Sequence, residues 1–306
     1  MPSLTSMNGV NGKYHQSLDG LAENPLRRTW RGNQQGTIEL STVPKFDNPY
    51  EEREWIKEHM AAAFRYWGKC GYGEGVSGHI TVRDPVLHDH YWMNPFAEHF
   101  STITKSMLVL VGPDGYVSPH GAQLPINSSG FYIHSAIHKA RPDIKAAAHC
   151  HSLHGKAWSA FGRPIDILTQ DSCLFYDNLG VYQNFGGVVL AEQEGKNIAD
   201  ALGPKWKTCI LQNHGLLTCM SSYSDILSNL GNTVDEAAFL FGALDRLCHV
   251  QLLAEAAEAN GIRKSVISQE DAEFTAKTIQ WWENVYVNFQ PEYKLLLQET
   301  NGAFLK

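Results

Sequence analysis

The rhythm of apolar and polar positions changes several times along this 306-residue chain. Residues 1 to about 46 are rich in Gly, Ser, Asn and Thr and carry no sustained period, which reads as a flexible or surface-draped arm ahead of one domain over 47–306. From Pro49 onward Trp55, Ile56, Met60, Ala63, Phe64 and Trp67 recur at helical spacing. Glu51, Glu52 and Glu54 sit where a helix start favours negative charge, and Gly71 and Gly73 end the segment. Short β-like runs follow at 79–83, 91–94 and 107–111. Ser128 or Ser129 is placed to cap a helix running to about Lys139, and Arg141-Pro142-Asp143 breaks it before a strand at 145–150. A small β region around 181–190, a helix at 192–202 and a strand at 208–213 complete the middle of the chain. The stretch 223–260 shows a helical apolar face through Ile226, Leu230, Val234, Ala238, Phe241, Leu244 and Leu247, read as core helices with a bend near Gly231 or Gly242. The C-terminal segment, with Trp281, Trp282, Tyr286, Phe289 and Tyr293, is expected to pack against the domain or a neighbouring subunit. Strands mixed with helices in this order suggest an α/β sandwich.

Composition narrows the class. A hydrophobic content of 43% lets a chain of this length bury a substantial core. A formal net charge of -7, with no run of Lys or Arg, argues against nucleic acid as a partner. The apolar stretches are interrupted by polar residues before membrane-spanning length, and the N-terminus lacks an apolar signal segment, so no membrane role and a cytoplasmic location are expected. Cys70, Cys150, Cys173, Cys209, Cys219 and Cys248 are scattered without paired spacing and read as reduced thiols, which suits the cytosol.

The candidate chemistry lies in two short segments, AAHCHSLHG and LQNHGLL. His149 and His151 alternate along a strand end or the turn after it, with Cys150 pointing to the opposite face, and His214 follows a β-like run. A His-X-His pair alone is weak, since histidines also serve in cores. A third imidazole with no obvious fourth protein ligand reads as an open, catalytic metal site, with zinc first and iron or manganese as alternatives.

Four segments, SGHITVRDP (77–85), LPINSSG with its following helix (124–141), the HCH pair and NHGLL, occur in the order found in the class II aldolase and adducin head family, which the chain resembles over about residues 50 to 255. The resemblance is to the fuculose-phosphate aldolase-like members. It implies a three-layer α/β/α sandwich with a mainly antiparallel central sheet, a metal site, a small-molecule substrate and a homotetramer with its active site near a subunit interface. It also exposes a departure. The family carries a Glu or Asp acid/base just after its paired serines, whereas Ser128-Ser129 is followed here by Gly130. His79 stands where the family has Asn, and Thr104-Lys105-Ser106 replaces a Thr-Pro-Thr-Gly-like loop. Ser128, Ser129 and Lys105 are therefore substrate-binding candidates, weighed equally against a helix cap and a solvated lysine.

Replacement acid/base candidates are His79, His120 and Glu74, each with a structural role as its first alternative, while His134, His138 and His154 are placed to orient ligands from behind. The leading function is a metal-dependent carbon–carbon lyase, of decarboxylase or retro-aldolase type, acting on a small oxygen-rich carbonyl or carboxylate. Loss of the carboxylate favours decarboxylation, in which carbon dioxide leaves without prior deprotonation of carbon. A non-haem iron oxygenase on the same scaffold and a non-catalytic adducin-like binding module are the alternatives.

Overall fold

The computed structural model describes residues 17, 19–188, 192–221 and 233–306. Its first long element, α1 (Pro49–Lys69), begins where Asn48 accepts a hydrogen bond from the Tyr50 amide, with Pro49 in the first turn beside Glu51 and Glu52. It ends before Gly71, which takes φ +77°, and buries Met60, Phe64 and Trp67. Strands β1 (His79–Arg83), β2 (Tyr91–Met93) and β3 (Val109–Val111) follow, then α2 (Ser128–Ala140), β4 (Ile144–Cys150), α3 (Leu153–Ser159) and β5 (Leu179–Tyr182). The chain continues through α4 (Glu192–Leu202), β6 (Thr208–Leu211), β7 (Gly215–Ser221), α5 (Val234–Ala259), α6 (Gln269–Ile279) and α7 (Trp282–Thr300).

The seven strands form one sheet in the order β3-β2-β1-β4-β7-β6-β5. Every neighbouring pair is antiparallel except β5–β6. Alternation along β4 divides its side chains between two layers. Ala146, Ala148 and Cys150 join Ile80, Val82 and Trp92 in the core shared with α1 and α5, while Ala147 joins Ile133, Ile137 and Leu217 in the core under α2 and α4. His79 and His149 are register partners, as are Thr81 and Ala147. This places His79, Thr81 and His149 on the α2 side of the sheet. The result is the mainly antiparallel three-layer sandwich the resemblance implied.

Several expectations change in detail. The bend expected at Gly242 is absent: α5 runs unbroken through it, and a Cβ there would collide with the Tyr66 hydroxyl of α1. Glycine lets two helices approach closely at this point. Gly231, Ile226 and Leu230 lie outside the described residues. By length and composition α5 could cross a membrane, contrary to the expectation of early interruption, yet it is mostly buried and packs on α1, α3, α7 and β7. Strand β7 was not anticipated, although the turn that starts it was. Tyr286 and Phe289 are buried inside the chain, with the Phe289 ring 5.5 Å from Tyr66, so the aromatic C-terminal segment closes this domain's own core. Part of the N-terminal stretch drapes over the same helices, through Asn24 to Glu283 and Thr29 to Asn284.

Candidate metal centre

His149, His151 and His214 converge at one end of the β4–β7 pair. One ring nitrogen from each lies within 4.8 Å of the others. His149 is the penultimate residue of β4, pointing to the α2 face; its Nδ1–H donates to the Leu216 carbonyl at 2.8 Å, which turns Nε2 toward the other two rings. His214 is held by a tight turn between β6 and β7. Its amide bonds the Leu211 carbonyl at 3.0 Å, and Asn213 takes φ +56°, a left-handed conformation that Asn tolerates. Gly215 then brings β7 close, since a Cβ there would stand 3.6 Å from the His149 ring and 3.9 Å from that of His151.

All three imidazoles are driven toward the neutral, ligating form. Burial depresses His149 well below the ordinary histidine value, followed by the charges of His214 and His79. Burial and the neighbouring His151 lower His214 to about 4. His151 is lowered by burial and by Lys156, against the pull of Glu74. Three neutral nitrogens aimed at one point, one of them oriented by a backbone carbonyl, fit a divalent cation.

The departure at Gly130 has a physical partner. The His79 ring covers the glycine so closely that a Cβ would lie 2.5 Å from its Nε2 and 2.7 Å from its Cγ. No side chain can stand at 130 while His79 keeps this position, so the two departures from the family pattern are one exchange. His79 is 5.2 Å from His149, ring centre to ring centre, and donates or accepts through Nδ1 to His134 Nε2 at 2.8 Å. Its Nε2 has no protein partner among the described residues.

The remaining candidates divide. Glu74 is ion-paired with Lys156 on α3, and both act electrostatically on His151, so Glu74 stays at the rim of the centre. Ser128 and Ser129 open α2, but neither is its cap: Asn127 accepts from the Gly130 amide at 3.0 Å. His120 lies exposed in the turn after the edge strand β3, its amide bonded to Ser118 at 3.4 Å. Lys105 is drawn to Glu54 and Glu58 of α1, at 3.1 and 3.0 Å. The helix α1 covers the opposite face of the sheet from the imidazoles, so in this chain Lys105 meets carboxylates and not the ligand group. His154 bonds Asp245 of α5 at 3.1 Å and stacks on His249, and so does not orient a ligand. His134 and His138 face His79 and Thr81, not the ligand rings. Thr81 escaped notice because one threonine in a strand carries no signal beyond its place two residues after His79. The Leu216 carbonyl was equally invisible, being backbone.

Residues 58–252 match the family described as Class II Aldolase and Adducin N-terminal domain. The chain is 42% identical over 226 residues to Decarboxylase NovR of Streptomyces niveus, covering 74% of this chain and 79% of that protein. It is 42% identical over 215 residues to the 4-hydroxy-3-prenylphenylpyruvate oxygenase/4-hydroxy-3-prenylbenzoate synthase of Streptomyces roseochromogenus subsp. oscitans, covering 70% of this chain and 73% of that protein. Among solved structures, the L-fuculose 1-phosphate aldolase from Glaciozyma antarctica PI12 superposes with a TM-score of 0.74 at 38% identity, covering 86% of this chain and 96% of that one. These similarities support a lyase-type function. The fold, the order of the motifs and the extent of the match together place the chain in the class II aldolase and adducin N-terminal domain family.

Proposed function

We propose that the protein is a metal-dependent carbon–carbon lyase of decarboxylase type, acting on a small carboxylic acid with a neighbouring carbonyl or hydroxyl oxygen. The observation that carries this reading is the convergence of His149, His151 and His214 beside a position 130 that has no side chain. When bound, a divalent cation supplies Lewis-acid polarisation of a substrate oxygen. The chain does the rest. Leu216 holds the His149 ring in its ligating orientation. The Glu74–Lys156 pair sets the charge beside His151 at the open rim. Gly130 removes the carboxylate that would take a proton from carbon, and His79 offers a neutral nitrogen in its space. Decarboxylation suits this arrangement because the carbon–carbon bond breaks without a base at carbon, its electron pair passing to a substrate carbonyl β to the carboxylate as carbon dioxide leaves. The similarity to a protein named a decarboxylase points the same way.

The name of the second relative favours a second reading, in which ferrous iron on the same imidazoles supports oxygen-dependent cleavage. Turnover of β-keto, 2-oxo and hydroxy-keto acids by zinc-, manganese- and iron-loaded protein, with and without air, decides between them. Carbon dioxide release under nitrogen supports the lyase. Release that requires both iron and oxygen replaces it with the oxygenase, and a purified protein holding no metal favours the binding module. We further propose a homotetramer on the family resemblance, tested by light scattering; a monodisperse monomer rejects it.

A further inference from the structure

Behind the candidate metal centre a line of hydrogen bonds crosses from β4 through α2 to β1. His138 Nδ1 lies 3.2 Å from the Ile144 carbonyl, and His138 Nε2 lies 2.9 Å from Thr81 Oγ1. The same oxygen is 2.7 Å from His134 Nδ1, and His134 Nε2 is 2.8 Å from His79 Nδ1. All four side chains are buried, with His134 fully enclosed. The geometry places two residues of β1, two apart, against two residues of α2, four apart, so that each bond is the single route between its neighbours.

A carbonyl oxygen cannot donate, so His138 must carry its hydrogen on Nδ1. Burial, with Arg83 adding to it, lowers His138 to about 3, so it is neutral near pH 7 and its Nε2 is a bare acceptor. Thr81 has one hydroxyl hydrogen and gives it to that acceptor. Its oxygen must then receive from His134 Nδ1–H, because two lone pairs at 2.7 Å would repel. Neutral His134 is left with an acceptor at Nε2, which His79 can meet only by donating from Nδ1. The chain has one consistent direction. It leaves a lone pair on His79 Nε2, the nitrogen that lies over Gly130.

We infer that Ile144, His138, Thr81 and His134 form a tautomer-setting chain that presents His79 Nε2 as an obligate hydrogen-bond acceptor and selects ligands carrying an O–H donor beside their metal-binding oxygen. The ligand class is a 2-hydroxy acid in preference to the matching 2-oxo acid, whose oxygen in that position offers only lone pairs. The His79 ring stands 5.2 Å from that of the proposed ligand His149, so one small molecule can reach both. His79 lies outside the group of nitrogens that converge for the cation, which leaves it available to the ligand. His138, Thr81 and His134 act as positioning residues through His79. The inference rests on the proposed metal site for the ligand's anchoring, while the tautomer itself does not.

The test uses the zinc-loaded full chain with nitrogen-labelled histidine. NMR distinguishes protonated from bare ring nitrogens, and His79 is assigned from the spectrum of His79→Gln. His79 is expected to be protonated at Nδ1 and bare at Nε2, and the reverse tautomer in the wild-type protein overturns the proposal without any variant having to fold. Calorimetry with lactate and pyruvate as probes is expected to give about fivefold tighter binding of lactate. Thr81→Val, which keeps the shape and removes the hydroxyl, should mix the His79 tautomers and erase that preference, and Thr81→Ser should restore both. Equal affinities in the wild-type protein, or a preference unchanged in Thr81→Val, reject the selection. Failure to bind zinc with the expected tautomer present defeats the metal reading alone, and zinc binding with the opposite tautomer defeats the chain alone.

Discussion

Two groups of imidazoles meet at the seam between β1, β4 and α2, and they differ in what their nitrogens find. In one, His149 spends a single nitrogen on the Leu216 carbonyl, and among the described residues the rings of His151 and His214 make no hydrogen bond. In the other, His138 and His134 have both nitrogens paired, and His79 has one. Both groups are kept neutral by burial. Burial alone therefore does not distinguish a ligand from a scaffold histidine. The difference is the supply of protein partners: a nitrogen without one is left open to a cation or ligand, whereas a paired one is satisfied and contributes only to rigidity.

The largest expected effect breaks the first group. His149→Ala or His214→Ala should reduce bound metal from about one ion per chain to background while the circular dichroism spectrum is preserved; stoichiometric metal in the double variant rejects the site. The second group should respond to acid in the metal-free protein. His138 falls from 6.5 to about 3 on folding, and His134 also falls well below 6.5, both mainly through burial. The unfolded chain therefore binds protons that the folded chain refuses, so stability is fully present above about pH 6.5 and is lost as the pH falls from there toward 3. The slope approaches about 1.4 kcal/mol per pH unit for each of the two, and His79, His149, His151 and His214, lowered in the same direction, add to it. Denaturant unfolding at pH 7.5, 6 and 5 measures it, and a flat profile contradicts the neutral, buried assignment.

A smaller effect tests the exchange that joins the groups. Gly130→Ala should destabilise by about 1–3 kcal/mol through overlap with the His79 ring, and the cost should shrink when His79→Ala is added. Additive losses in the double-mutant cycle would show that the two positions do not share one space. The smallest effect lies on the other face of the sheet. Lys105→Ala removes two partly exposed ion pairs to α1 and should cost about 0–1 kcal/mol with metal content and substrate affinity unchanged. Weakened binding of a carboxylic acid ligand in that variant would return Lys105 to the site.

Much of the fold was legible where the signal is local. The helix from Pro49 is marked by its acidic first turn, its apolar period and the glycines after it, and strand 79–83 and helix 192–202 match their structural bounds. Strand β7 was harder to read, because LLTCM has no alternation; both its faces are buried, one with Leu216 and Met220 and the other with Leu217 and Cys219. The α2 cap was assigned one or two residues late, since Asn127, Ser128 and Ser129 are all competent and only the fold of the preceding loop selects Asn127. Lys105 was left between two readings for a related reason: a lysine in a matched loop has the right charge, but its side chain follows the nearest carboxylates, which α1 supplies.

The sequence by itself determined the candidate ligand types, their order along the chain and the absence of a side chain at 130, because these are matters of residue identity and of family pattern. It also determined that Cys150 faces away from His149, since strand alternation is a local rule. Tertiary structure decided which imidazoles stay bare and which are paired, because each pairing joins residues distant in sequence through directional bonds of about 3 Å. It also decided that His79 fills the space above Gly130, a relation between positions 79 and 130 that exists only when β1 and α2 pack together.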